Sequence, residues 1–248
     1  MAPRLPQSAL LGIVLLGLHA APAFALTEAQ LREAVADDIP EEAKFAAWPG
    51  VADRTLIAWT DYRSMTAPQV DGGDVPSGPT LPDVLDLTVL VVQTSTGHVM
   101  QRYHEDKAYD SVAVQFLDFE FDTANYALAP GSRAFGVRML GQHLGYAAED
   151  TATLHLLEPA GTALREVLTL QTMAHLATRD CGEGHDIART VAIGKASTQG
   201  HADLIVHERR EETPDGSSAP TRCHPEVRRS ERTTTLRFDG ERYPGSGR

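Results

Sequence analysis

Short apolar runs, each broken by a turn before it is long enough for a stable helix, recur from residue 85 onward. Residues 85–92 (LDLTVLVV) are rich in β-forming types, Thr94 to Gly97 supply a turn, and 98–103 return. That is hairpin grammar. The same strand–turn–strand pattern covers 152–170, 186–206 and 233–243. Residues 112–121 and 133–140 read as further strands, and in the second Phe135, Val137 and Met139 share one face at period two. The repeats are uneven and too few for a complete propeller. The expected fold is mainly β, with antiparallel hairpins forming a single sandwich-like or incomplete propeller-like domain, preceded by a short N-terminal helix.

The N-terminal quarter is organised differently. Arg4, an apolar run over 9–18 and the small residues Ala23 and Ala25 have the layout of a cleaved export signal, which predicts processing before Leu26. The apolar run is too short to span a bilayer, which needs about 20 residues. Thr27 with Gln30 three residues on suggests a capping box and a helix over about 27–37, followed by a turn at 41–48 and a strand at 54–62. Residues 67–82 hold four prolines and three glycines and read as a long surface loop. The implied organisation is a signal peptide at 1–25, an N-terminal arm at 26–82, a β domain at 83–244 and a flexible tail at 245–248. The expected location is the periplasm or the exterior, with no integral membrane segment after signal cleavage.

A formal charge of -12 argues against a general nucleic-acid binder, because backbone binding needs clustered Lys and Arg. The two cysteines, Cys181 and Cys223, both stand in polar, turn-like sequence. In an oxidising compartment such a pair predicts a disulfide, worth roughly 3–4 kcal/mol on the chain-entropy view. The neighbouring His185 and His224 do not complete a common structural zinc spacing.

The hairpin segments Ala202-Asp203-Leu204-Ile205-Val206 and Gly161 to Arg165 resemble blades of the FG-GAP and VCBS kind, although the dense calcium loops of those families are missing. The stretches from Asp122 to Tyr126 and from Arg133 to Arg138 resemble a family of uncharacterised secreted bacterial proteins. That resemblance implies an exported bacterial protein and brings no catalytic residues with it.

Motifs that would announce chemistry are missing. There is no H-E-x-x-H zinc helix, no G-x-S-x-G elbow and no G-x-x-x-x-G-K phosphate loop. Asp71-Gly72-Gly73-Asp74 has oxygen ligands but not the spacing of an EF-hand. His155, between Leu154 and Leu156, is expected to point away from the leucines towards solvent. No metal site or cofactor is assigned from these patterns. Two functional expectations follow. The first is a non-enzymatic exported protein that binds an envelope protein or glycan, using the basic run Arg228, Arg229, Arg232 and Arg237. The alternative is a periplasmic hydrolase with His/carboxylate chemistry around His104, Asp106 and Asp110.

Overall fold

A computed structural model describes residues 25–35, 38–63, 84–110, 114–143, 149–176, 184–213 and 227–245. The export signal, the 67–82 loop with its Asp71–Asp74 turn, and both cysteines lie outside them, apart from Ala25. Helix α1 (Glu28–Ala34) opens on the predicted capping box: Thr27 accepts from the Gln30 amide, and the Gln30 side chain accepts from the Thr27 amide. The helix is shorter than the sequence suggests, because the backbone is already extended at Val35.

Eleven strands follow among the described residues: β1 (Lys44–Ala47), β2 (Arg54–Arg63), β3 (Val84–Gln93), β4 (Val99–Asp110), β5 (Val114–Ala129), β6 (Ser132–His143), β7 (Glu149–Ala160), β8 (Ala163–Leu176), β9 (Gly184–Thr198), β10 (His201–Thr213) and β11 (Arg228–Leu236). The fold is mainly β with one short helix, as the hairpin pattern requires. Where a turn was expected at 41–48, β1 instead pairs with β2, Phe45 opposite Ile57. β8 runs past the expected end of its hairpin at Leu170 and continues to Leu176. Its last four residues pair with β9, from Met173 opposite Ala188 to Leu176 opposite His185.

All eleven strands belong to one hydrogen-bonded sheet that does not close on itself. Its ladders are antiparallel except for a single parallel bridge, Arg102 opposite Ala163, which joins β4 to β8. The hairpins are antiparallel as expected, and the parallel bridge adds a long-range contact that the hairpin pattern did not contain. The bridge joins the meander β1-β2-β3-β4 to the meander β8-β7-β6-β5, while β9, β10 and β11 extend from the far end of β8.

Alternation then divides the apolar residues among three cores. Leu85, Leu87, Val89 and Val91 of β3 meet Phe135, Val137 and Met139 of β6 and Leu157 of β7 in the first. Ala134 and Leu156, from the opposite faces of β6 and β7, join Val167, Leu168 and Leu170 of β8 and Leu204 and Val206 of β10 in the second. Leu90 and Val92, the other face of β3, pack with Leu31 and Val35 in the third. β6 and β7 are thus covered on both sides.

The expected Cys181–Cys223 disulfide is corrected. The two cysteines form no pair at disulfide distance, and neither is part of the described fold. The arms that such a bond would have tied are joined by backbone ladders instead. These run as far as Gly184 opposite Thr213 and Glu212 opposite Arg228. No helix among the described residues is long and apolar enough to cross a membrane.

Candidate functional site

The polar segment 103–106 lies in β4, so its side chains alternate between two faces. His104 and Asp106 take one face. His104 Nδ1 is 3.0 Å from the Thr88 hydroxyl, and its Nε2 is 3.5 Å from an Asp106 oxygen. Buried Asp86 of β3 completes a group of three potential metal ligands there. His104 and Asp106 are largely open to solvent, with side chains 47% and 70% exposed. The side chain of Asp110, the third predicted member, lies outside the described residues, although its backbone pairs with Val84.

Tyr103 and Glu105 take the other face. The Tyr103 hydroxyl donates to Glu105 Oε2 over 2.6 Å. Here Glu105 meets two residues that the sequence did not single out as partners, His155 of β7 and Glu166 of β8. His155 Nδ1 is 2.6 Å from Glu166 Oε1 and 3.7 Å from Glu105 Oε2. The Thr169 hydroxyl donates to the same Glu166 oxygen over 2.8 Å. The imidazole is 5% exposed, against 15% for Glu105 and 19% for Glu166. The ring is therefore enclosed, and the carboxylates are the accessible side of the cluster.

Three features of the fold create this arrangement. Glu105 and Glu166 stand three residues beyond Arg102 and Ala163, the two residues of the parallel bridge. Equal offsets along parallel strands bring them to matching positions on one face. A bulge then aims Glu166: Leu156 pairs with Leu168 while Leu157 pairs with Glu166, leaving Val167 as the extra residue. Val167 and Leu168 can both enter the second core, and Glu166 turns to the opposite face. Finally, β7 is interior. The expectation that His155 would meet solvent is corrected, because the face opposite Leu154 and Leu156 is covered by the first meander.

A second buried network lies at the end of β7. Glu158 accepts from Ser132 (2.5 Å) and Arg165 (2.9 Å), and lies 3.1 Å from His201 Nε2. His201 stacks on Phe238 at 3.9 Å between centroids. Burial opposes ionisation of Glu158, but these hydrogen bonds outweigh it and hold the carboxyl below its ordinary value. Asp122 is likewise held low against its burial, by the Ala124 amide, Arg138 and Tyr126. Burial, with Glu158 and Asp203 nearby, pushes the Tyr243 hydroxyl well up.

The basic run falls on β11 and just past it. Arg228, Arg229 and Arg232 stand opposite Glu212, Glu211 and Glu208 of β10, and Glu231 stands opposite Arg209. Arg229 Nε reaches Glu211 over 3.1 Å. Cross-strand pairs of opposite sign support the ladder. Arg237 is exposed beyond the strand end.

No protein-family model matches the chain, and no curated protein or solved structure is significantly similar to it.

Proposed function

We propose that the protein is an exported hydrolase whose chemistry is carried by Glu105, His155 and Glu166. The observation behind this reading is the convergence of one enclosed imidazole with two carboxylates, the three donor atoms lying within 4.8 Å of one another. An ionised carboxylate can only accept, so at 2.6 Å the His155 Nδ1–H donates to Glu166. That bond fixes the tautomer and leaves Nε2 with a lone pair, which would take a proton from a water admitted to the enclosed ring. The water oxygen forms the new bond to the acyl or phosphoryl centre of an ester. The imidazolium then returns the proton to the departing oxygen. Glu166 and Glu105 favour the transient imidazolium by charge, the role of an orienting carboxylate beside a catalytic histidine. Export is supported by the leader-like sequence at 1–25.

The test is hydrolysis of a panel of nitrophenyl carboxylic and phosphoric esters by the full chain. His155→Ala is expected to lower the rate roughly 100- to 10,000-fold, and Glu166→Gln to lower it as well. Absence of turnover by the native chain, or turnover unchanged in His155→Ala, would overturn the reading. One imidazole nitrogen and two carboxylate oxygens also suit a divalent cation, which would supply an activated water. Metal analysis of the purified protein separates the two versions of the site. Docking of an envelope protein or glycan on β11 is the weaker proposal, since three of its arginines already face glutamates.

A further inference from the structure

A pocket of about 260 Å³ lies away from the His155 cluster. It is lined by Trp48 and Val51 between β1 and β2, Arg54 at the start of β2, Ser132 and Arg133 at the start of β6, and Pro159 of β7. Its polar chemistry is one-sided. The Trp48 indole N–H is buried without a hydrogen-bond partner among the described residues, and so is the Nε of Arg133. Trp48 is only 4% exposed, and its ring is held by an edge contact with Phe135 at 5.0 Å. No carboxylate among the described residues lines the pocket. The carboxylates adjoining it in sequence are engaged elsewhere: Asp53 by Gln93 and Ser95, and Glu158 by Ser132, Arg165 and His201. Arg54 uses one guanidinium nitrogen on the Asp53 carbonyl oxygen.

An unpaired buried N–H is costly. The indole N–H and the Arg133 guanidinium, with Arg54 alongside, constitute a site that lacks an acceptor among the described residues. We propose that this pocket binds a small ligand through a phosphate group. The phosphate oxygens would receive hydrogen bonds from Trp48 Nε1 and the two arginines, while Val51 and Pro159 cover its organic part. The site is preorganised. The indole is fixed by the core, and Gly50, at φ 75°, leaves room for the Arg133 guanidinium where a Cβ would collide with it. The local field also favours an anion within an otherwise acidic protein.

The chain has two tryptophans, so Trp59→Phe leaves Trp48 as the sole emitter. The full chain would be titrated with glycerol phosphate and with phosphatidylcholine vesicles containing or lacking phosphatidic acid. Trp48 emission would be followed, alongside calorimetry on the native protein. A saturable response to the soluble ester is expected, weakened roughly ten- to hundredfold in Arg133→Gln. The Arg133 side chain makes no ion pair or hydrogen bond among the described residues, so that variant should fold. Trp48→Phe keeps an aromatic ring in the core but removes the N–H donor together with part of the ring volume, and should also weaken calorimetric binding while Arg133→Gln isolates the loss of a donor from the loss of packing. A response to phosphatidic acid vesicles alone would assign the site to a lipid headgroup. A response to neither probe, or equal affinity in Arg133→Gln, would overturn the proposal.

Discussion

Glu158 shows what a single residue can contribute here. Its side chain is 4% exposed, yet burial does not neutralise it, because Ser132, Arg165 and His201 all converge on the carboxyl. A carboxyl held below its ordinary 4.5 contributes stability that is fully present above that value and is lost as pH falls through the lower folded value. Acid should therefore destabilise the protein from about pH 4.5 downward, and Asp122 should extend the loss. Glu158→Gln removes a buried charge whose ion-pair partner Arg165 is 38% exposed, and should cost about 1.5–3 kcal/mol at neutral pH. It should also flatten the acid limb of a plot of urea midpoint against pH. An unchanged acid limb would show that Glu158 is not the group being titrated. Little of this was legible beforehand. Glu158 is an ordinary charged residue in a hairpin arm, and its partners lie 26 and 43 residues away in sequence at Ser132 and His201.

At the scale of elements, strand periodicity was readable and strand register was not. The alternation of Phe135, Val137 and Met139 predicted the inward face of β6, and the three now form part of the first core. Gly136, between the first two, faces the other way, and a Cβ there would collide with Leu154 of β7 and lie 2.9 Å from the Asp122 Cβ of β5. Gly136→Ala should therefore cost about 1–3 kcal/mol by overpacking, measured as a lowered urea midpoint. Gly131→Ala, in the adjoining turn, meets no neighbour and would show strain from its positive φ alone. The bulge at Val167 has no such sequence signature. Val167 and Leu168 look like a normal step in an alternating strand, and the extra residue becomes apparent only against the β7 register. That shift decides which face receives Glu166.

At the scale of the molecule, the three cores share strands and so should not unfold independently. Neighbouring residues of β6, Ala134 and Phe135, belong to different cores, as do Leu156 and Leu157 of β7. Phe135 also carries edge contacts to Trp48 and Phe121. Phe135→Ala is expected to cost about 3–5 kcal/mol while circular dichroism and tryptophan emission still report one coincident transition. Separate transitions would mean that the layers are energetically independent.

The sequence by itself determined the β class, the glycine-bearing hairpin turns and the capped helix. These depend on local chemistry: glycine in turns at Gly97, Gly131, Gly161 and Gly200, side-chain alternation, and a Thr–Gln pair one helical turn apart. Only the tertiary structure decided that His155 is enclosed rather than solvated, that Glu105 rather than His104 joins it, and that Trp48 and Arg133 share a pocket. Burial depends on what covers the second face of a strand. For β7 that cover is the β1–β4 meander, joined to β8 through the one parallel bridge at Arg102 and Ala163. A contact between residues some 60 positions apart leaves no mark in the spacing of either segment.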